Sequence, residues 1–200
     1  MAKNSKNSRQ ERTVVLIKPD GVMRGLIGEI VSRFEKRGLK IIALKMVLPT
    51  REHIRDHYPE SEEWLGNIGS RTHTFFKEHD IDIKDYFGTE EHVKVGKKVK
   101  EWLGDYLISG PVVAIIVQGM HAVSVVRKIV GHTYPVEALP GTIRGDFSVD
   151  TPAAANVEGR VVKNVVHASG NQEEASHEIE HWFSPEEIFD YKRAEEDIMF

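Results

Sequence analysis

The chain of 200 residues contains no cysteine. Disulfide scaffolds, thiolate metal sites and cysteine nucleophiles are therefore excluded. It also lacks an excess of positive charge, because 27 basic side chains stand against 31 acidic ones and the formal net charge is −4. Proteins that bind nucleic acid through its phosphates usually carry a basic excess, so this balance argues against that class.

Long apolar runs are absent as well, and no stretch approaches the length that spans a bilayer. Residues 1–12 are polar and lack the apolar centre of a signal peptide. We therefore expect a cytoplasmic protein without membrane contact. The composition predicts a flexible tail over 1–12 and a single domain over 13–200, which is long enough to bury a core.

Several common catalytic motifs are missing: the chain has no P-loop, no H-E-x-x-H zinc motif and no G-x-S-x-G nucleophile elbow. His177 and His181 stand four residues apart on a predicted helix and could share a metal ion. A solvated helix face is the favoured interpretation, because no third ligand is evident. No residue is therefore predicted to bind a metal directly.

The apolar pattern predicts alternating strands and helices. Strand-like runs cover 14–17, 41–47, 112–117 and 165–167, and helical spacing covers 27–34, 50–58, 121–130 and 172–183, with one more helix starting at Ser184. The strand and helix order favours an α+β fold with a ferredoxin-like antiparallel sheet, βαββαβ, and helices packed on it.

Two stretches of the chain are additional to this βαββαβ arrangement. Residues 60–107 lie between the second and third strands, and Val99, Trp102, Leu103 and Tyr106 within them take helical spacing. Residues 150–160 form a smaller excursion. Both are interpreted as insertions into one domain, the first mainly helical, because neither is long enough for an independent core.

His167 ends a short apolar strand, and the small residues Ala168, Ser169 and Gly170 follow it. The next predicted helix carries Glu178, which can reach back to one ring nitrogen. A carboxylate that accepts this N–H fixes the tautomer and stabilises the positive charge that develops when the other nitrogen attacks. Taken singly, a structural histidine and an exposed helix acid remain the alternatives.

Three basic residues and one threonine, far apart in sequence, form a second set of candidate site residues. Lys18 follows the first strand, Arg127 lies on a predicted helix, and Thr133 and Arg144 lie in loops. Any one of them is most simply a surface side chain. Together they supply the charges and the hydroxyl that bind a polyphosphate, and phosphoryl transfer depends chiefly on such positioning and neutralisation.

With these motifs the chain resembles the nucleoside diphosphate kinase family over about 12–58 and 108–192. The motifs that carry the resemblance are Ile17-Lys18-Pro19-Asp20-Gly21-Val22, Arg24-Gly25-Leu26-Ile27-Gly28-Glu29-Ile30, Ser109-Gly110-Pro111-Val112, Pro140-Gly141-Thr142-Ile143-Arg144-Gly145-Asp146-Phe147, Asn164-x-x-His167-Ala168-Ser169 and Trp182-Phe183-Ser184-Pro185-Glu186-Glu187.

The resemblance implies a ping-pong exchange of γ-phosphates. His167 would take the phosphoryl group from a nucleoside triphosphate, typically ATP, and pass it to a nucleoside diphosphate, supplying GTP, UTP, CTP and deoxynucleoside triphosphates. Glu178 would orient His167, Ser169 would support the site, and Tyr58 would lie close by. The phosphate contacts would come from Lys18, Arg127, Thr133 and Arg144, with Asn164 on the sugar and phosphate side.

The resemblance also implies a Mg²⁺ ion held mainly by the nucleotide phosphates and water, in keeping with the reluctance of Mg²⁺ to enter all-protein cages. Its partners would be nucleoside tri- and diphosphates and further copies of the chain, a hexamer in preference to a tetramer. No specific nucleic acid is expected.

The chain departs from the family pattern in three places. Gly170 stands where relatives usually have an acidic residue, so we expect Asn171 or Ser169 to cap the next helix. The 150–160 excursion lengthens the interval between Arg144 and His167. Residues 60–107 replace the hairpin whose Pro-Phe-Phe stacks on the base. By spacing from Tyr58 we predict that Trp64 stacks on the base, with Phe75 and Phe76 as alternatives; any aromatic ring can do so without reading base identity.

Two other functions fit the sequence less well. A catalytically silent nucleotide sensor or scaffold would not need both the His167–Glu178 pair and the full cationic set. An RNA-binding sheet of the same topology would favour a basic surface and an aromatic-rich strand, and the chain shows neither. The sequence therefore favours the kinase.

Overall fold

Four strands form one antiparallel sheet in a computed structural model that describes residues 10–194 and 196–199. They are β1 (Gln10–Ile17), β2 (Lys40–Val47), β3 (Val112–Met120) and β4 (Val166–Ala168). Their spatial order is β2-β3-β1-β4, and every neighbouring pair is antiparallel. This order and the helices between the strands confirm the predicted ferredoxin-like α+β fold.

Helices connect the strands and cover both faces of the sheet. Their bounds are α1 (Pro19–Met23), α2 (Ile27–Lys36), α3 (Arg51–His57), α4 (Glu62–Glu78), α5 (Lys84–Phe87), α6 (His92–Leu107), α7 (Ala122–Val130), α8 (Ile143–Phe147), α9 (Pro152–Val157), α10 (Gln172–Trp182) and α11 (Glu196–Met199), with short 3-10 turns at Pro135–Glu137 and Pro185–Glu187.

The two central strands, β1 and β3, are buried on both faces. Val15 and Ile17 pack beneath α2 and α7, where Phe34 and Val126 are fully buried. Val14 and Leu16 point the other way, towards α3, α6 and α10. A strand covered on both faces needs no polar alternation, which explains the unbroken apolar run of β3.

Some predicted boundaries were wrong. β1 begins at Gln10, so three residues assigned to the tail pair instead with β3, Gln10 facing Met120; residues 1–9 lie outside the described residues. The chain continues from β1 into the short helix α1, which was not predicted. The helix expected from Ser184 is only a 3-10 turn with a capping box. β4 begins one residue late, because Val165 has a left-handed φ of 60°.

Within the segment 60–107, α4 and α6 pack backbone to backbone. A Cβ atom on Gly69 would lie 1.9 Å from the His92 carbonyl oxygen, and one on Gly96 would lie 2.0 Å from that of Leu65. Only glycine fits at both crossing points. Beyond the crossing, Phe75 and Phe76 form a small buried cluster with neighbours from α6.

The segment 150–160 folds as a closed excursion around Arg160, whose guanidinium pairs with Asp150 and with Glu158. Arg160 Nη1 donates to Asp150 Oδ2 at 2.5 Å, and Lys163 N–H donates to the same oxygen at 2.7 Å. Thr151 caps α9 by accepting from Ala154 N–H. Ala153 packs against the buried cluster of Phe75 and Phe76, so the two predicted insertions touch each other.

Candidate active site

His167 sits on β4, where it pairs with Leu16 of the central strand β1. Its Nε2 lies 2.7 Å from Glu178 Oε1, and the Ser169 hydroxyl donates to Glu178 Oε2 at 2.7 Å. Ser169 Oγ in turn accepts from the Val14 N–H at 3.1 Å. Because Glu178 occupies Nε2, Nδ1 is the ring nitrogen left for attack on an electrophile.

The carboxylate of Glu178 stays ionised in this buried position. Burial by itself raises the pKa of Glu178, but the charge of His167 and the hydrogen bonds from His167 and Ser169 outweigh burial and leave the pKa lowered. A charged carboxylate on Nε2 can hold the proton there and stabilise an imidazolium.

Lys18, Asn164 and Thr133 form a second chain of contacts. Lys18 Nζ donates to Asn164 Oδ1 at 2.7 Å, and Asn164 Nδ2 donates to the Thr133 carbonyl oxygen at 2.8 Å. Three separate segments therefore meet at the end of β1. Burial and the neighbouring Arg144 lower the pKa of Lys18 to about 7.

Arg144 is a buried cation with an unused donor. Its Nη1 and Nη2 donate to the carbonyl oxygens of Gly131 at 3.0 Å and Val166 at 2.8 Å, whereas its Nε has no partner among the described residues. Burial, together with the exposed Arg127 on α7, lowers the pKa of Arg144 to about 10. Mutually repelling cations of this kind suit an anionic ligand.

The ring of His57, the neighbour of Tyr58, lies against both Tyr58 and His167. The His57 ring is 4.5 Å from Tyr58 and 5.0 Å from His167, centroid to centroid. Burial and Glu178 raise the pKa of Tyr58 above its usual range. The Trp182 indole N–H donates to His57 Nδ1 at 3.2 Å, and burial lowers the pKa of His57 well below its usual value. His57 is thus a neutral imidazole; beyond its place next to Tyr58, nothing in the sequence marked it.

One group of possible metal ligands converges among the described residues: His57, His167 and Glu178, with one ligand atom each within 4.8 Å of one another. Two of the three donors are imidazole nitrogens, whereas Mg²⁺ selects oxygen ligands in octahedral geometry. This donor set therefore does not fit Mg²⁺. His177 and His181 have no such third partner in the part of the chain that the structure describes: His181 stacks on His53 at 4.1 Å and His177 Nε2 contacts the Asp56 carbonyl.

The helix α4 contacts the rest of the protein near both of its ends. At its first turn, Trp64 lies 5.8 Å from Tyr58 between ring centroids and is partly buried. Near its last turn, Phe75 meets Tyr134, the neighbour of Thr133, at 5.5 Å. Phe75 and Phe76 are only 5% and 1% exposed, so neither presents a free ring face.

Asn171 caps α10, and it is one of the two residues predicted to do so. Its Oδ1 accepts from Glu174 N–H at 2.8 Å, and Glu174 Oε2 accepts from Gly170 N–H at 2.7 Å. These two hydrogen bonds place the Glu174 carboxylate at the helix start, so no acidic residue is needed at position 170.

Comparisons with known proteins agree with this geometry. The sequence model described as "Nucleoside diphosphate kinase" matches residues 11–65 and 84–188. A nucleoside diphosphate kinase of Pyrobaculum aerophilum is 51% identical over 180 residues, which are 90% of this chain and 98% of that protein. A crystal structure of an NDP kinase from P. aerophilum superposes with a TM-score of 0.88 at 49% identity, covering 90% of this chain and all of that one. A second structure is a transition-state mimic of a Borrelia burgdorferi nucleoside-diphosphate kinase with bound vanadate and ADP. It superposes with a TM-score of 0.72 at 36% identity, covering 94% of this chain and 95% of that one.

These matches identify an enzyme of nucleotide metabolism, a transferase of the kinase class. The chain belongs to the nucleoside diphosphate kinase family. The family match reaches further into 60–107 than the sequence motifs indicated, because it includes 60–65 and 84–107 and leaves out 66–83. The family typically uses a divalent metal with its nucleotides.

No helix in the described part of the chain is both long and apolar enough to cross a membrane.

Proposed function

We propose that this protein transfers the γ-phosphate of a nucleoside triphosphate, typically ATP, to a nucleoside diphosphate through a phosphohistidine at His167. The observation that carries the proposal is the contact of 2.7 Å between His167 Nε2 and Glu178 Oε1. It leaves Nδ1 as the nucleophile. Two buried basic side chains bond the chain just before His167, Lys18 through Asn164 Oδ1 and Arg144 through the Val166 carbonyl oxygen. Nucleophile, orienting carboxylate and charge-neutralising groups are the parts that such a transfer requires.

The reaction balances in two half-steps. The lone pair of His167 Nδ1 attacks the γ-phosphorus, a P–N bond forms, and the bond from γ-phosphorus to the bridging oxygen breaks, so the nucleoside diphosphate leaves with that electron pair. Glu178 retains the Nε2–H and stabilises the positive ring. An oxygen of the acceptor diphosphate then attacks the same phosphorus and the electron pair returns to Nδ1.

The cationic residues neutralise charge on the transferring group. Lys18 and Arg144 would contact phosphate oxygens from the buried side of the site. Arg144 would use the Nε–H that has no protein partner in the described chain. Arg127 and the Thr133 hydroxyl would contact them from the exposed side, and Asn164, tied to Lys18 and Thr133, would bridge to the sugar. Preorganised donors of this kind are worth most in a site that excludes water.

Three further residues complete the site. Ser169 holds Glu178 in place, and Tyr58 closes the pocket beside His167 with a hydroxyl that stays protonated. We propose that Trp64 stacks on the base. Its partial burial next to Tyr58 and its place within the matched range 11–65 support this choice, whereas Phe75 and Phe76 are buried and lie in the unmatched range 66–83.

A Mg²⁺ ion held by the nucleotide phosphates and water would supply further neutralisation of phosphate charge when it is bound. The donor set of His57, His167 and Glu178 does not suit it, so we assign no protein ligand. Homo-oligomerisation, a hexamer in preference to a tetramer, and a cytoplasmic location remain predictions. The edge strand β2 supports the former, because Leu44 and Met46 on it are 50% and 56% exposed.

The proposal is tested by labelling. The protein is incubated with γ-labelled ATP and Mg²⁺ without an acceptor, and unlabelled GDP is then added. We expect acid-labile, alkali-stable label that moves to GTP and is absent from His167→Ala. Nucleotide binding by calorimetry without any label would overturn the proposal in favour of the silent sensor.

A further inference from the structure

Val165 has a backbone conformation that its side chain disfavours. Its φ is 60°, and the Val166 N–H donates to the Asn164 carbonyl oxygen at 2.7 Å, which closes a three-residue turn around Val165. A γ-turn with positive φ is the rare and strained form, and a β-branched residue at positive φ is an outlier. Strain of this kind persists only where the surroundings hold it in place.

Both backbone polar groups of Val165 are tied to the segment that follows β1. The Val165 N–H donates to Asp20 Oδ2 at 3.2 Å, and the Lys18 N–H donates to the Val165 carbonyl oxygen at 2.8 Å. Asp20 is 6% exposed and Val165 is fully buried. Gly21 allows the approach, since a Cβ atom there would lie 3.0 Å from the Val165 carbonyl oxygen.

The strained turn lies between two residues of the active site. Asn164, immediately before it, is held by Lys18 Nζ and by the Thr133 carbonyl. His167 lies two residues after it, on β4. The direction in which the chain leaves the turn therefore decides where Asn164 and His167 lie relative to each other.

We propose that Asp20 is a positioning residue, whose carboxylate oxygen holds the strained turn at Val165 and thereby fixes Asn164 and Lys18 relative to His167. The inference rests on the proposed function. Asp20 reaches no reacting atom in this account; it acts through the backbone of Val165.

A different role for Asp20 would be that of a counter-charge for Lys18. The two roles differ in chemistry, because a counter-charge needs the negative carboxylate, whereas the turn needs only an oxygen acceptor. Asp20→Asn keeps the acceptor and removes the charge, and its amide nitrogen would face the Tyr106 hydroxyl, which interacts with the Asp20 carboxylate. Asp20→Ala removes both the acceptor and the charge.

The test compares kcat and KM for wild type, Asp20→Asn and Asp20→Ala. We expect kcat to fall by about 10- to 100-fold in Asp20→Ala, as for other small displacements of a reacting group, with a smaller change in KM. Asp20→Asn should stay within about threefold of wild type, because a neutral acceptor still bonds the Val165 N–H. Loss in Asp20→Asn equal to that in Asp20→Ala would overturn the proposal in favour of the counter-charge.

Val165→Gly supplies the second arm, since glycine adopts positive φ without a penalty. In the Val165→Gly background, Asp20→Ala should lose several-fold less kcat than it does in wild type. An equal loss in both backgrounds would refute the role of the turn.

Hydrogen exchange of the Val165 amide gives a readout that does not need catalysis. This amide should be protected in wild type and Asp20→Asn and should exchange faster in Asp20→Ala, if necessary at reduced temperature to keep that variant folded. Unchanged protection in Asp20→Ala contradicts the proposal. Wild-type protein that is never labelled by ATP would instead refute the proposed function, so the two failures are distinguishable.

Discussion

The proposed active site has two halves that are built differently. The sheet half consists of residues on or beside the central strands, such as His167, Lys18 and Asn164, and each of these has a hydrogen bond to another site residue. The helical half consists of α4 and α6, which pack chiefly on each other at Gly69 and Gly96. It meets the rest of the site through ring contacts near the two ends of α4 and, from α6, through Tyr106, whose ring centroid lies 5.7 Å from Lys18 Nζ.

In the proposed function this difference separates chemistry from recognition of the nucleoside. Phosphoryl transfer requires positions fixed within fractions of an ångström, which buried hydrogen bonds on a sheet provide. Stacking on a base tolerates variation, because any aromatic ring in roughly the right place can contribute. The matched family ranges are consistent with this division, since between 11 and 188 they omit only residues 66–83, most of which lie in α4.

The largest expected effect falls on the sheet half. Glu178→Gln keeps the shape of the side chain but removes the negative carboxylate that contacts His167 Nε2. We expect kcat to fall by about 10- to 100-fold, the usual cost of removing a carboxylate that orients a histidine, with nucleotide affinity little changed. Glu173→Gln, an exposed acid on the same helix, is the matched control. Equal kcat in the two variants would contradict the role of Glu178.

The next largest effect is on the stability of the helical half. Gly69→Ala should destabilise the protein by about 1–3 kcal/mol, as overpacking of a close contact does, because its Cβ atom would meet the His92 backbone at 1.9 Å. Gly66→Ala, on the same helix, has only a side-chain atom at 3.9 Å and should stabilise by about 0.5–1 kcal/mol. Urea unfolding checks both values. Equal shifts for the two variants would contradict the helix crossing.

A smaller effect separates the aromatic residues. Trp64→Ala should raise the nucleotide KM by about tenfold, the loss expected for one stacking contact of about 1–3 kcal/mol, and leave kcat nearly unchanged. Phe75→Ala should raise KM much less and lower stability instead, because Phe75 fills a buried cluster. The reverse order in steady-state kinetics would exclude Trp64 as the stacking residue.

The smallest expected effect is the number of protons that the protein takes up when it binds a nucleotide. In the free protein the pKa of Lys18 is about 7, so its amine is mostly neutral at pH 8 to 9. Bound phosphate favours the charged amine and raises this pKa, so nucleotide binding should take up close to one proton at pH 8 and fewer as the pH falls below 7. Calorimetry in buffers of different ionisation enthalpy measures the uptake. Lys18→Arg, which is always charged, should show none; uptake of equal size in that variant would contradict the assignment.

The sequence predicted the four strands of the sheet and a carboxylate within reach of His167, for identifiable reasons. The strands that carry it are continuous apolar runs, and the residues beside them stand in short motifs, so the fold and the meeting of His167 with Glu178 followed from local patterns. Even the alternative caps for α10 were within reach, because Asn before a run of acids is a strong start signal.

The remaining features depend on contacts between distant segments. Nothing local signals that Val165 takes a positive φ, since the strain is held by Asp20, 145 residues away in sequence. Nothing in the sequence indicated the role of His57, because its tautomer depends on the hydrogen bond from Trp182. The packing of α4 on α6 depends on glycines, and a glycine within a helix can equally be interpreted as a residue that destabilises the helix. The start of β1 was missed because residues 10–12 are polar and owe their structure to pairing with β3.

The most direct test of the central claim is the position of phosphate on the histidine ring. The phosphoenzyme is prepared with ATP and Mg²⁺, and phosphorus–proton correlation spectra identify the ring protons coupled to phosphorus. Because Glu178 occupies Nε2 at 2.7 Å, we predict phosphate on Nδ1, with strong coupling to the proton on Cε1 alone. Strong coupling to the protons on both Cε1 and Cδ2 would place the phosphate on Nε2 and contradict the account.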